Sequence, residues 1–202
     1  MDRPGLVNAL DAIRQRRSIG RLSAPAPTDE HLREIFAAAV QAPDHGELRP
    51  WRFIVIRTEH MAAFGEILAT AAIARGRASG IPPTEGQLTK ERTKLGRAPL
   101  VVVAAAVKGP TDKIPWIEQQ MAVAAAVENA LLAATALGYG SMWRTGDPVY
   151  DPTVKAALGL GADDAVIGFL YLGTAPTGGS APSFATRSTD TGAVVSEWRP
   201  AP

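Results

Sequence analysis

The run from Trp116 to Gly138, WIEQQMAVAAAVENALLAATALG, constrains the fold of this chain more than any other stretch. Pro115 precedes it, where a proline at the first turn sacrifices no intrahelical hydrogen bond, and Gly138 closes it, where a left-handed helix stop is expected. Between Met121 and Leu137 only Glu128 and Asn129 carry a charge or an amide, so the predicted helix has no clear polar stripe. Such a helix is expected to be buried on most sides, inside a core or against a second subunit. The apolar part is alanine-rich and falls short of the roughly 20 residues of a bilayer span, which points to a soluble helix.

The rest of the chain supplies partners for it. Leu6, Val7, Leu10 and Ile13 recur at helical spacing up to about Arg16, and the helix is expected to end near Arg17. Thr28 followed by Asp29 and Glu30 reads as an N-cap with acidic first-turn residues, starting a helix that stops before Pro43. WRFIVIRT from Trp51 alternates in the manner of a strand, and an alanine-rich helix follows from about Glu59 to Arg75. PLVVVAAAV from Pro99 and AVIGFLYLG from Ala165 are continuous apolar runs short enough for buried strands. SMWR reads as a short strand and DPTVKAALGL as a short helix. Between Gly76 and Arg97 the chain turns polar, and a mobile surface flap is expected there. The tail over 175–202 has little capacity to form a core of its own and is expected to lie extended along the body or across a partner.

No boundary splits the 202 residues, so a single domain over 1–202 is predicted, completing its core by dimerising if need be. A net charge of +1 gives no electrostatic case for nucleic acid or membrane partners. The absence of cysteine removes disulfides, thiolate metal sites and a cysteine nucleophile together, and His31, His45 and His60 lie too far apart in sequence to suggest a metal site. The N-terminus lacks the apolar core of a signal peptide, so the cytoplasm is the expected compartment.

Two loops combine basic residues with turn formers beside a core element. Arg16, Arg17 and Ser18 present two guanidinium groups and a hydroxyl at the end of the first helix. They suit a phosphate through charge-assisted hydrogen bonds, and equally suit plain compensation of the helix dipole. Ala42-Pro43-Asp44-His45-Gly46-Glu47-Leu48-Arg49-Pro50-Trp51 has proline on both flanks, which fits a preset site or an ordinary surface turn. Trp116 and Trp143 read as core or interface anchors as readily as ligand contacts.

Taken together these loops resemble the nitroreductase family of flavoproteins. Arg16-Arg17-Ser18 matches its Arg-Arg-Ser signature, the stretch from Ala42 to Trp51 its Ala-Pro-Ser-x-x-Asn-x-Gln-Pro-Trp loop, and GSMWRTG from Gly140 its later flavin-contacting turn. The likeness is nearest to the small YdjA-type members, through PAPT at Pro25, APDH at Ala42 and GFLYLGT at Gly168, and spans Leu6 to Thr174. The resemblance implies an α+β fold with a central mixed β-sheet flanked by helices, and an intertwined homodimer holding FMN in clefts between the subunits. Carried over, Arg16, Arg17 and Ser18 would hold the phosphate and ribityl end, and Gln41 and His45 would approach the flavin from the loop before Trp51, across the dimer. Trp143, Arg144 and Thr145 would line the isoalloxazine or phosphate, with a backbone N–H near Thr145 and Gly146 facing N5. The implied reaction moves hydride from NADH or NADPH through FMN to a nitroaromatic, quinone or related small-molecule acceptor by a ping-pong scheme, with no protein nucleophile. Glu47 and Arg49 stand where the family usually has Asn and Gln, and Gly20 where it often has a second basic residue. These departures keep open a flavin-binding or flavin-sequestering protein with little turnover, as well as another of the family's reductions, of a carbon–halogen bond or an activated alkene. Glu47 beside a flavin would hinder its reduction unless Arg49 paired with it or faced the ring.

Overall fold

The computed structural model describes residues 8–110, 113–176, 191–192 and 194–200. The expectation for the tail falls largely on 177–190 and 201–202, outside the described residues, as do Leu6 and Val7 of the first predicted helix.

The elements form where the sequence places them. Helix α1 (Ala9–Gln15) is capped by Asn8, and α2 (Asp29–Ala39) by Thr28, whose hydroxyl oxygen accepts the His31 N–H at 3.2 Å. Strand β1 (Trp51–Arg57) leads directly into α3 (Thr58–Ser79), which outlasts its predicted end before Gly80 turns it off in the left-handed region. Then come α4 (Glu85–Thr93), strand β2 (Leu100–Ala106), the long α5 (Trp116–Ala136), β3 (Gly140–Arg144), the short α6 (Pro152–Ala157) and β4 (Ala165–Gly173). At the end of α5 the Tyr139 N–H reaches Ala134 O at 2.8 Å and the Gly138 N–H reaches Thr135 O at 3.0 Å. These are the paired bonds of a Schellman stop, which needs Gly138 at φ 84°.

The sheet order is β1-β2-β4-β3, and every neighbouring pair is antiparallel. The α+β class therefore holds, but the mixed sheet that was expected does not form among these four strands. The helical excursion between β1 and β2 returns the chain in the opposite direction, and the one between β2 and β3 returns it in the same direction but two positions away, with β4 inserted antiparallel between them. Among the described residues parallel pairing is confined to one bridge, Ser18 to Ser141 on the open edge of β3.

β2 is buried along its whole length, as its unbroken apolar run requires. Val101, Val103 and Ala105 face a core completed by α3 and α6, while Val102, Ala104 and Ala106 face α2 and α5. A bulge opposite Ala104 and Ala105 leaves Ile167 of β4 unpaired. Beyond it the alternation of β4 resets, so Val166 and Phe169 share a face.

Two expectations are corrected. Within one chain α5 buries a single face, formed by Gln119, Val123, Val127, Ala130, Leu131 and Ala134, while Ile117 and Met121 stand exposed on the other. The 76–97 segment is not an unstructured flap. It holds α4, begun by a capping box in which Thr84 and Gln87 satisfy each other's backbone, and a 3-10 turn over Lys94–Arg97. Gly65 on α3 lets the Arg92 carbonyl approach where any Cβ would collide, and the Arg92 guanidinium reaches Glu66 at 3.1 Å and Glu85 at 2.9 Å.

Candidate functional site

The open edge of β3 gathers two of the three predicted groups. Residues 16–19 run beside it, with the Ile19 N–H donating to Ser141 O at 2.9 Å. Arg16 closes α1, and its guanidinium Nε lies 3.3 Å from Glu128 Oε1 on α5, with the arginine side chain 15% exposed. The Arg17 guanidinium turns back onto the carbonyls of Arg14 and Arg16, which is the helix-end role weighed for it. Ser18 is exposed. A cavity of about 530 Å³ opens here, lined among others by Arg14, Arg17, Ile19, Tyr139 and Ser141. The Ser141 hydroxyl is buried there without a hydrogen-bond partner.

Side chains alternate along β3, so Trp143 and Arg144 point to opposite faces of the sheet. The Trp143 indole lies flat over Gly168, where any Cβ would collide with it, and its Nε1–H donates to Ile167 O at 3.2 Å. The bulge thus gives up a strand bond and provides the acceptor for the indole. Trp143 packs on the α5 side of the sheet and is partly buried.

Arg144 enters the other face. Its guanidinium sits 5.5 Å from the centre of the Tyr171 ring, its Nε is buried without a partner, and one terminal nitrogen lies 3.9 Å from where a Cβ on Gly20 would stand. The missing side chain at Gly20 is therefore space that Arg144 approaches. Burial pushes the Tyr171 hydroxyl above its ordinary value; Arg144 and Arg97 pull it partly back, and Glu91 pushes it further up. Thr145 is exposed at the end of β3, followed by Gly146 at φ 113° and ψ −172°, a conformation that favours glycine. Among the described residues neither the Thr145 nor the Gly146 amide donates to a protein acceptor. Thr145 borders two cavities, one of about 160 Å³ with Arg97, Arg144 and Tyr171, and one of about 360 Å³ with Trp116, Gln120 and Tyr150.

The third predicted group lies elsewhere. Gln41 is exposed at the end of α2, and the His45 Nδ1–H donates to Glu118 Oε2 at 2.7 Å near the start of α5. Both belong to the connection into β1, at the opposite edge of the sheet from β3, three strand spacings or about 14 Å across. None of the three cavities above is lined by Gln41 or His45. Their loop is held tightly: the Arg49 N–H donates to Asp44 Oδ2 at 2.5 Å, while Glu47 and Arg49 both adopt left-handed φ of 52° and 50°. A non-glycine residue in that region costs on the order of 1–3 kcal/mol and is found mostly where function over-determines the backbone. The envisaged pairing of Glu47 with Arg49 does not form.

Sequence reasoning missed Arg97, Tyr171 and Glu118. Tyr171 reads as one more apolar residue of a buried strand, and Arg97 as the end of a polar run. Only the approach of the 3-10 turn to β4 brings them together.

A four-stranded antiparallel sheet between helical layers, with a basic loop and a glycine turn framing one strand edge, defines an α+β class. The chain belongs to the nitroreductase family, whose family profile matches residues 13–174. A relative from Escherichia coli K12 named "Putative NAD(P)H nitroreductase YdjA" is 39% identical over 168 residues, covering 83% of this chain and 88% of the relative. Among solved structures, a nitroreductase-like family protein from Bacillus cereus superposes with a TM-score of 0.78 at 21% identity, covering 96% of this chain and 97% of the other. A "putative nitroreductase in complex with FMN" from Desulfovibrio desulfuricans gives a TM-score of 0.68 at 25% identity, covering 99% of this chain and all of the other. No helix among the described residues is long and apolar enough to cross a membrane.

Proposed function

We propose that this chain is an FMN-dependent oxidoreductase that takes two electrons from NADH or NADPH and passes them to a small nitroaromatic, quinone or related acceptor. The observation that carries this reading is the convergence of unsatisfied donors on the β3 edge: the buried Arg144 Nε, the Ser141 hydroxyl and the amides of Thr145 and Gly146. Buried polar groups are normally paired; here the Ser141 hydroxyl faces the 530 Å³ cavity and Arg144 Nε the 160 Å³ cavity on the other side of β3, with the exposed amides at the strand end, so the donors suit a polar ligand that supplies acceptors along this edge. FMN has that character, with a phosphate at one end and ring carbonyls at the other. When bound, it supplies the two-electron chemistry.

The residues have separable tasks. Arg16 and Ser18 suit the phosphate and ribityl end, with Arg17 holding the helix end behind them. Arg16 leaves Glu128 at little cost, since a partly exposed ion pair contributes about 0–1 kcal/mol whereas a charge-assisted bond to phosphate contributes roughly 1.5–3. Arg144 and the amides of Thr145 and Gly146 suit the ring, where fixed positive charge and N–H dipoles favour the electron-rich state. Trp143 supports this strand through Ile167. Gln41 and His45 reach such a ligand only from a second copy, because the sheet separates them from the β3 edge within one chain. The exposed Leu10 and Ile13 of α1 and Ile117 and Met121 of α5 provide an apolar face for that copy.

The test is spectroscopic and kinetic. The purified protein is expected to be yellow and to bleach when NADH or NADPH is added without oxygen, and double-reciprocal plots at several fixed acceptor concentrations are expected to run parallel. Colourless protein that takes up no FMN sinks the reading, and intersecting lines sink its ping-pong part.

A further inference from the structure

The amides of Thr145 and Gly146 open the link between β3 and α6, which turns through the 3-10 stretch Asp147–Val149. The Val149 N–H closes this turn onto Gly146 O at 3.0 Å, and the Val149 side chain is buried in the core that α3 and α6 complete. Arg75 of α3, one helical turn beyond the buried Ala71, reaches the link at both ends. Its guanidinium donates to Asp151 Oδ2, and its Nε stands 3.9 Å from Asp147 Oδ2, on the residue next to Gly146. Asp151 Oδ1 meanwhile accepts the Thr153 N–H at 2.9 Å and so caps α6. The caps Asn8, Thr28 and Thr84 of the other helices are exposed and uncharged, whereas the Asp151 side chain is 3% exposed and ion-paired. A six-residue helix needs no buried charge to begin, so this pair is tied to the link ahead of α6 rather than to α6 alone.

One planar guanidinium between two carboxylates on either side of a turn fixes its span in a way that the point charge of a lysine does not. Amide dipoles favour an electron-rich ring only where their direction is set in advance, by groups that are themselves held. We infer that Arg75 is a positioning residue: through Asp151 and Asp147 it fixes the turn that presents the Thr145 and Gly146 amides, and thereby raises the reduction potential of the bound flavin. Arg75 lines none of the three cavities at the β3 edge, so its effect passes through the turn and not through contact. The inference rests on the FMN reading above.

The experiment measures the midpoint potential of FMN bound to the parent, to Asp151→Asn and to Arg75→Lys, with circular dichroism to confirm the fold. Asp151→Asn keeps an oxygen to cap α6 but loses the charged partner of Arg75, and Arg75→Lys keeps the charge but loses the fork. In each variant the reduced flavin is expected to lose affinity about tenfold more than the oxidised flavin, which for a two-electron couple is a potential lower by about 30 mV. The sign separates positioning from plain charge: removing the Asp151 carboxylate by itself leaves the site more positive and raises the potential, and Arg75→Lys by itself leaves it unmoved. Should Asp151→Asn fold poorly, Arg75→Lys, at a side chain 31% exposed, carries the test. A folded variant of either kind at or above the parental potential overturns the inference and leaves the FMN reading standing. A parent that takes up no FMN overturns both.

Discussion

At the scale of single residues, Gly168 decides more than its size suggests. It is the space into which Trp143 lies, and a methyl group there meets both the indole and the Arg144 carbonyl. Gly168→Ala is expected to destabilise the protein by about 1–3 kcal/mol through overpacking, read as a lower urea midpoint at unchanged slope, and to weaken flavin binding because β3 shifts. The motif GSMWRTG was legible as a site, but the face toward which its tryptophan points was not. That is fixed by a bulge and a glycine on a different strand, which no local pattern encodes. Tyr171 carries a second prediction. Burial raises its pKa in the folded state, so the folded form holds the phenolic proton more tightly than the unfolded form. Its contribution to stability is complete below the ordinary tyrosine value of about 10 and is lost as pH rises through the higher folded value. Tyr171→Phe is therefore expected to lose less stability than the parent as pH rises above about 10, measured by denaturant midpoints along a rising pH series.

At the scale of elements, the strands and the long helix were readable because each buried strand is a continuous apolar run and α5 carries its own stop signal. α4 was misread for the opposite reason. Only Leu88 of its residues is buried, so hydrophobic periodicity could not announce it; the available sign was Thr84 with Gln87 three positions on. The helix holds through that capping box, through Arg92 bridging Glu66 and Glu85, and through the close approach at Gly65. Thr84→Ala is expected to cost about 0.5–2 kcal/mol, concentrated in this element. Hydrogen exchange then shows faster exchange across Glu85–Thr93 with little change in β2. Uniform acceleration over the whole chain contradicts a locally capped helix.

At the scale of the whole molecule, the sequence motifs named candidate residues but left open which of them lie together in one chain. Arg16, Ser18, Arg144 and Thr145 meet along β3, whereas Gln41 and His45 sit across the sheet beside Glu118. That division is invisible in sequence order, since it depends on β1 and β3 occupying opposite edges. Under the proposed function it implies that assembly and cofactor binding are one event, and Met121 is the residue through which to test this. Met121 is 61% exposed in the single chain, one turn from Ile117 on the face of α5 turned away from the core. Met121→Glu therefore leaves the folded subunit almost untouched, because a carboxylate at a wet helix position costs little. Across a symmetric interface the same change places two carboxylates in an apolar contact, and each desolvated charge costs several kcal/mol. The expected result is a folded monomer by sedimentation with parental circular dichroism, and a loss of bound yellow chromophore in the same sample. A monomer that keeps its flavin refutes the shared site, and a variant that stays dimeric with both carboxylates refutes this face as the interface.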